Sequence, residues 1–277
     1  MKFGFVASCG STRQILEMAV EAEHAGWDGF FTWDGISVGP YDTYDPWALL
    51  GALAVRTRTI MLGAMVFSLP RRKPWEVARQ SVTVDRLSGG RLILPVALGA
   101  VDDGGYSRVS GEATDVRTRA ELLDDALAIL DLAWSGEAFS YRGFHHEVQD
   151  LVFRPTPVQR PIPVWVVGSW PAPRSMRRAV CRQGIIPTGL GDLATPVGVD
   201  ELRALVAWVG ERRRRTDGPF DVVVEGVLPA DDAEARDRVG RLADAGATWW
   251  IEPRWDVVHE TPQSLLERIR QGPPRIA

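Results

Sequence analysis

Three carboxylates stand at the ends of segments that read as buried strands. Asp34 follows segment 29–33, Glu225 lies in segment 222–227, and Glu252 ends segment 248–252. A carboxyl group in an apolar surrounding keeps its proton to higher pH, so it can act as an acid or base near neutrality. Asp34, Glu225 and Glu252 are therefore candidate catalytic residues. Two structural alternatives stay open: Asp34 as a loop cap, and each glutamate as the ion-pair partner of Arg254 or another arginine.

Small and hydroxylated residues follow two other predicted strands. Gly168 and Ser169 come after segment 163–167 and precede a predicted helix, while Thr188 and Gly189 come after segment 185–187. Backbone N–H groups, a hydroxyl and the helix dipole together favour an anion at such a place. The pattern predicts an anion site at Gly168 and Ser169, with a weaker contribution from Thr188 and Gly189. A simple turn is the alternative.

Histidines give no comparable signal. The chain has four, of which His24 lies on a predicted helix, His145 and His146 on a hairpin, and His259 after the last strand. Their spacing matches no metal-binding pattern. We predict no metal site.

The elements that position these residues alternate along the chain. Predicted strands cover residues 3–7, 29–33, 60–67, 92–98, 163–167, 185–187, 222–227 and 248–252. Predicted helices cover residues 12–25, 45–55, 75–87, 114–134, 174–182, 196–215, 231–245 and 261–271. Capping residues, prolines in first turns and glycines after last turns support these helix boundaries.

Eight strands alternating with eight helices predict an α/β fold, a (β/α)8 TIM barrel forming one domain over residues 1–277. Segment 139–148 alternates about Gly143 and predicts a small hairpin inserted between helix four and strand five. A doubly wound sheet is the competing fold, but no strand leads into a Gly-x-Gly-x-x-Gly turn. In TIM barrels the active site lies where strands end, which is where the candidate residues stand.

The composition fits a small-molecule enzyme. Lys and Arg total 32 against 36 Asp and Glu, so a formal net charge of -4 gives no sign of nucleic-acid binding. Two cysteines are too few for a disulfide framework and favour a reducing cytoplasm. No apolar run reaches the ~18 residues of a membrane span. We expect a cytoplasmic protein.

Segment 57–99 contains the most informative pattern. An apolar strand at 60–67 leads into Leu69-Pro70-Arg71-Arg72-Lys73-Pro74, which we expect to be an exposed loop because of its prolines and cations. A helix ended by Ser88-Gly89-Gly90 and a strand at 92–98 complete a βαβ unit. This order, with L-S-G-G-R-L before a strand ending in L-G, resembles the bacterial-luciferase-like flavin oxidoreductases. The likeness extends over nearly the whole chain.

The resemblance implies an oxidoreductase that uses FMN or the deazaflavin coenzyme F420 on a small organic substrate, by hydride transfer or monooxygenation. It implies a non-proline cis peptide within Ala64-Met65-Val66 beneath the cofactor ring. It also implies cofactor contacts at the ends of the predicted strands 92–98, 163–167 and 185–187. The contact residues are Leu98, Gly99, Gly168, Ser169, Thr188 and Gly189.

Three departures from the family pattern qualify these expectations. Gly35 stands where relatives carry a histidine close to the reacting face of the cofactor, so proton transfer needs another group. Leu98 stands where some flavin-binding relatives carry an arginine, which weakens the case for FMN phosphate there. Pro95 stands where relatives carry a glycine early in the strand. Gly35 and Pro95 support the alternative function, a non-catalytic barrel that binds a flavin or another ligand.

The resemblance also implies a homodimer built from helices two and three. The apolar residues on the first of these helices are Trp47, Leu49, Leu50, Leu53, Ala54 and Val55, and those on the second are Trp75, Val77 and Val82. One apolar face covers the sheet, so additional apolar residues favour a second partner. Packing between neighbouring helices of the same barrel is the alternative.

Overall fold

The computed structural model describes residues 1–189, 197–214, 217–227, 233–256 and 259–274. The predicted helix limits at residues 196, 215 and 231 lie outside them. The strands are β1 Lys2–Val6, β2 Gly29–Thr32, β3 Met61–Ala64, β4 Phe67–Ser68, β5 Leu94–Ala97, β6 Phe139–Arg142, β7 Glu147–Leu151, β8 Val164–Ser169, β9 Gly184–Thr188, β10 Asp221–Glu225 and β11 Trp249–Pro253. The helices are α1 Thr12–His24, α2 Pro46–Arg56, α3 Pro74–Ser88, α4 Gly104–Ser107, α5 Val116–Ser135, α6 Pro173–Val180, α7 Val199–Gly210, α8 Ala233–Asp244 and α9 Pro262–Arg270.

The chain divides into two compact units. The first contains Met1–Phe31 and Pro163–Ala277, and the second contains Thr32–Ile162. In the first unit, parallel strands follow the order β2, β1, β11, β10, β9, β8. Since successive side chains of a strand alternate between faces, every second residue of each strand lies on the same side of this sheet.

Large aromatic rings fill one face of the first unit's sheet. Trp165 packs against Trp249 with ring centroids 5.1 Å apart, and Phe31 lies 5.9 Å from Trp165. Gly4 makes room for this cluster, because an added Cβ would lie 2.7 Å from the ring of Phe31. The opposite face packs against helices: Trp250 lies beneath Arg238 of α8. Along each strand, alternate side chains therefore point either into the aromatic cluster or toward the helices.

In the second unit, β4 pairs in parallel with β5 and Leu62 bridges Leu92. Helix α3 ends at Gly89, whose φ of 68° is the left-handed conformation that glycine adopts at low cost. Arg91, which follows the two glycines of the L-S-G-G-R-L pattern, has a structural role. Its side chain is buried and donates to main-chain oxygens of Ala54, Thr57 and Ile60.

The inserted hairpin is confirmed. Strands β6 and β7 pair antiparallel, and the buried carboxylate of Asp125 on α5 fixes their turn. This carboxylate accepts hydrogen bonds from the Tyr141 hydroxyl and from the backbone N–H groups of Phe144, His145 and His146. Burial, followed by the Asp125 contact, raises the pKa of Tyr141 to about 12.

The prediction of an exposed loop at 69–74 is wrong in part. Leu69–Arg71 forms a 3₁₀ turn in which Leu69 and Pro70 are buried, and the Arg71 side chain is only 3% exposed. Lys73 is exposed as expected. Arg71 can be buried because Asp34 and Asp103 neutralise its charge. Both aspartates are distant from Arg71 in the sequence, so the residues around Arg71 gave no indication of the pairing.

None of the described helices combines the length and hydrophobicity needed to cross a membrane. Among the described residues, no three His, Cys, Asp or Glu side chains are grouped to hold a metal ion.

Candidate active site

Three predicted site residues lie in one row on the aromatic face of the first unit. Ser169 pairs with Thr188 across β8 and β9. The register of β9 and β10, in which Asp221 pairs with Gly184, brings Glu225 level with Thr188. On the other side Glu225 pairs with Ile251. Since Ser169, Thr188 and Glu225 end their strands, the sheet presents two hydroxyls and a carboxyl side by side. We call this set the Glu225 row.

Glu225 has no partner within the described part of the chain. No hydrogen bond or ion pair to its carboxyl group occurs there, and its exposure is only partial. Burial alone raises the pKa of Glu225 to about 7. A carboxyl that holds its proton up to neutral pH can donate or accept it at little cost under ordinary conditions.

Glu252 is the penultimate residue of the next strand, β11, and lies on the helix-packed face. Its carboxylate is fully buried and accepts from Arg268 of α9 at 2.6 and 2.9 Å and from Arg254 at 2.9 Å. Burial raises the pKa of Glu252, and the two guanidinium groups oppose that shift. This geometry favours the structural alternative of an arginine ion pair over proton transfer.

The predicted anion site at α6 is already partly satisfied. The backbone N–H of Ser169 donates to the Ser175 hydroxyl at 3.0 Å, while the Ser169 and Thr188 hydroxyls lie 3.4 Å apart. Gly168 faces the helix side, where an added Cβ would lie 2.8 Å from Cδ1 of Ile185. Gly189 directly follows β9 and is partly buried. Hydroxyl groups, rather than backbone donors, are what Ser169 and Thr188 offer a ligand.

Asp34 belongs to the second unit and is surrounded by cations. Arg71 and Arg72 both donate to its carboxylate, at 2.8 and 2.7 Å, and the Ser68 N–H adds a third donor at 3.1 Å. Burial by itself raises the pKa of Asp34. The Arg72 hydrogen bond and the charges of Arg72 and Arg71 outweigh it, so the pKa falls below its ordinary value. Asp34 stays ionised at neutral pH.

Asp103 completes this arrangement. It pairs with Arg71 and accepts from the N–H groups of Ile36 and Ser37, the latter at 2.8 Å. We call Asp34, Arg71, Arg72 and Asp103 the Asp34 cluster. Its two carboxylates and two guanidinium groups balance in charge, and they fix the backbone that follows β2.

Gly35 lies at the edge of a cavity of about 370 Å³ that the Asp34 cluster helps to line. The ring of Trp33 occupies the space that a side chain at position 35 would take, so an added Cβ would overlap it. Val38 adds a second contact at 3.0 Å. The histidine expected from the resemblance is thus missing from the sequence, and its place is filled by Trp33.

The other two groups of predicted cofactor contacts are also in the second unit. Ala64 ends β3, and the Met65–Val66 peptide is cis, as the resemblance implies. Leu98 and Gly99 follow β5, and both are partly exposed. Gly99 has a φ of 79°.

The sequence matches the family model described as luciferase-like monooxygenase over residues 1–272. The chain belongs to the luciferase-like monooxygenase family. An F420-dependent glucose-6-phosphate dehydrogenase from Beutenbergia cavernae is 26% identical, over 97% of this chain and 87% of that protein. A protein of the same description from Microbacterium testaceum is 28% identical over 68% of this chain, and the chain spans 57% of its length.

The fold of a luciferase-like barrel is confirmed by a solved structure. The coenzyme F420-dependent tetrahydromethanopterin reductase from Methanopyrus kandleri superposes with a TM-score of 0.75 and 15% identity, covering 98% of each chain. At that identity the likeness establishes the α/β TIM-barrel fold and nothing more about chemistry.

Sequence analysis of this luciferase-like chain missed four residues that shape the second unit. These are Arg71, Asp103, Tyr106 and Arg119. Tyr106 donates to the Leu98 carbonyl and contacts the Ser68 hydroxyl. A usable signal existed for Arg119, because it precedes Leu123 and Ala126 by four and seven residues on the apolar stripe of α5. A charge on a buried stripe needs an explanation.

Proposed function

We propose that the chain is a coenzyme F420-dependent oxidoreductase that transfers hydride between the deazaflavin and a small organic substrate. The observation that carries this proposal is the match, over 97% of the chain, to a relative described as an F420-dependent dehydrogenase. Relatives with enzymatic names give no support to the alternative of a non-catalytic barrel. When bound, the deazaflavin would supply the carbon that takes up or gives away hydride.

The residues on the first unit's aromatic face fit such a cofactor. Among the described residues the hydroxyls of Ser169 and Thr188 contact each other, at 3.4 Å, so at least one of them keeps an O–H to donate to a polar chain. We assign Glu225 the role of holding or releasing the proton that must accompany hydride transfer. Its lack of a partner among the described residues and its pKa of about 7 suit that role, which Gly35 cannot fill.

The remaining site residues are proposed with narrower roles. Ala64, Met65 and Val66 would contact the cofactor ring, and Leu98, Gly99, Gly168 and Gly189 would contact its chain. Asp34 would orient the segment after β2 through Arg71 and Arg72, rather than transfer protons. Glu252 would hold α9 in place through Arg268.

Anaerobic titration with coenzyme F420 and, separately, with FMN tests the proposal. We expect saturable quenching of F420 fluorescence with micromolar protein, and binding of FMN at least tenfold weaker. If the protein binds FMN more tightly than F420, flavin-dependent oxygenation would replace hydride transfer as the proposed function. If calorimetry and fluorescence detect neither cofactor, the proposed function is wrong.

We further propose a single luciferase-like domain over residues 1–277, a cytoplasmic location and a homodimer. The family match over residues 1–272 supports the first, and two free cysteines fit the second. The dimer rests on residual apolar surface of α2 and α3, where Val55 is 65% and Leu87 49% exposed. Most of the other apolar side chains predicted for this interface, including Trp47, are already buried within the chain. A monomer mass from light scattering would contradict the proposed homodimer.

A further inference from the structure

The Glu225 row contains a carboxyl group without a neighbouring cation. Ser169, Thr188 and Glu225 end β8, β9 and β10, and Glu225 is partly exposed, so a ligand can reach it. Burial is the only cause of its raised pKa, which means that no described charge acts on it. Of the described side chains in this row, a ligand therefore meets two hydroxyls and an acid, but no base.

The segments that connect the first unit's strands to the following helices are acidic in sequence. In TIM barrels these segments build the substrate site. After β1, β8, β9, β10 and β11 they cover residues 7–11, 170–172, 189–198, 226–232 and 254–261. Together they contain five acidic residues but only one lysine or arginine, Arg254. The acidic residues are Asp192, Asp231, Asp232, Asp256 and Glu260.

Arg254 is already neutralised by two glutamates. Its Nε donates to Glu252 at 2.9 Å and its Nη1 donates to Glu260 at 2.7 Å. His259 is paired in the same way with Asp256, at 2.7 Å. Arg174, in the first turn of α6, is exposed, so water weakens its attraction for an anion. The described strand ends of the first unit therefore offer a bound anion no buried cation of its own.

The layer beneath the Glu225 row is apolar. The residue two positions earlier on each strand lies on the same face, which places Val167, Ile186 and Val223 side by side. Ile186 and Val223 are buried, and Val167 is partly exposed. A substrate at the row can thus pack carbon against this layer while a polar group reaches Glu225.

We propose that the Glu225 row binds an uncharged alcohol or carbonyl compound and excludes phosphorylated or carboxylated ones. This assignment rests on the proposed function and names its substrate class. Specificity can come from an unfavourable charge as well as from favourable contacts. An anion here would lose hydration beside a like charge, and no cation would compensate it. Two relatives are described as dehydrogenases of glucose 6-phosphate, so the assignment separates this chain from them.

The reaction of such an alcohol uses the same carboxyl group. The hydroxyl proton passes to the Glu225 carboxylate, and hydride leaves the same carbon for the oxidised cofactor. The alcohol becomes a carbonyl compound, and the cofactor gains the two electrons. A neutral hydroxyl can approach Glu225 for this transfer at hydrogen-bond distance, which a phosphate or carboxylate on a short substrate would oppose.

The first test compares matched alcohols in the presence of coenzyme F420. 2-Butanol and 3-hydroxybutyrate share one end, and a methyl group in the first replaces the carboxylate of the second. Glucose and glucose 6-phosphate form another pair. We expect the uncharged member of a pair to reduce F420 with a kcat/KM at least tenfold above that of its anionic partner. A smaller ratio, or a preference for the anion, would overturn the assignment.

A binding measurement supplies a readout that needs no turnover and decides where no probe is oxidised. Calorimetry with glucose 6-phosphate compares wild type, Glu225→Lys and the control Asp200→Lys, at a side chain that is 95% exposed. Lysine beside the Ser169 and Thr188 hydroxyls should create a glucose 6-phosphate site that wild type and control lack. If Glu225→Lys binds the compound no better than wild type, the assignment is wrong. If Glu225→Lys does not fold, Thr188→Lys adds a cation at the adjacent position.

The F420 titration keeps this assignment separate from the proposed function. A wild type that binds F420 but gives the contrary result in either comparison loses only the substrate class. A wild type that does not bind F420 loses the proposed function, and the calorimetric comparison alone then tests the charge preference of the Glu225 row.

Discussion

The Glu225 row and the Asp34 cluster both place acids just where strands end, yet their chemistry is opposite. Glu225 has no described partner and a pKa of about 7. Asp34 is held by two arginines and has a lowered pKa. The first can exchange a proton at neutral pH, whereas the second keeps a permanent negative charge. Position at a strand end is therefore insufficient to identify a proton-transfer residue, and the partners decide.

Glu252 makes the same point within one sheet. It lies one strand away from Glu225, but Glu225 shares the face of Val223 and Trp249, while Glu252 shares that of Trp250. The helix-packed face carries Arg268, which converts a buried acid into half of an ion pair. A shift of one residue would exchange the two environments.

The largest expected effect is on turnover by Glu225→Gln. If Glu225 transfers the proton, the variant should lose about 10²–10⁴ in kcat with F420 and substrate, because general acid–base catalysis contributes that much. The ionisation near pH 7 in the wild-type rate profile should disappear. Asp200→Asn, with a side chain 95% exposed, is the control. If Glu225→Gln keeps a normal kcat, Glu225 is not the residue that transfers the proton.

A smaller effect distinguishes the two regions by pH. The folded-state pKa of Glu225 is raised from 4.5 to about 7, so ionisation of the folded protein is disfavoured. Relative to Glu225→Gln, wild type should lose about 3 kcal/mol of unfolding free energy as pH rises from 4.5 to 7. The Asp34 pKa is lowered from 3.8, so its contribution is full above that pH and lost as pH falls through the folded value.

Urea denaturation of wild type, Glu225→Gln and Asp34→Asn between pH 3 and 8 measures both trends. The wild-type-minus-variant difference should fall with rising pH for Glu225→Gln. For Asp34→Asn it should fall only on acidification. Parallel curves for the two variants would mean that the acids share one environment, contrary to the structure.

Sequence periodicity predicted the elements well because each depends on local signals. The limits of α1, α2 and α9 lie within about two residues of those predicted, where capping residues and glycines mark them. The partners of the acids were not predictable in the same way. Arg71 and Asp103 are 32 residues apart, and prolines beside cations indicated exposure. Nor could a pattern distinguish the faces of Glu225 and Glu252, since both strands are apolar on both sides.

The last prediction concerns the space beside Asp34. Gly35→Ala should lower the unfolding free energy by about 1–3 kcal/mol, because the new Cβ would overlap the Trp33 ring, and overpacking costs that much. Gly51→Ala is the matched control, since it lies in α2 with nothing within 4 Å of an added Cβ. Helix propensity should make that change stabilising by about 0.5–1 kcal/mol. Gly35→Ala with wild-type stability would show that Trp33 leaves this space readily. With the ring fixed, as the structure has it, the larger Gly35→His should destabilise the protein more than Gly35→Ala.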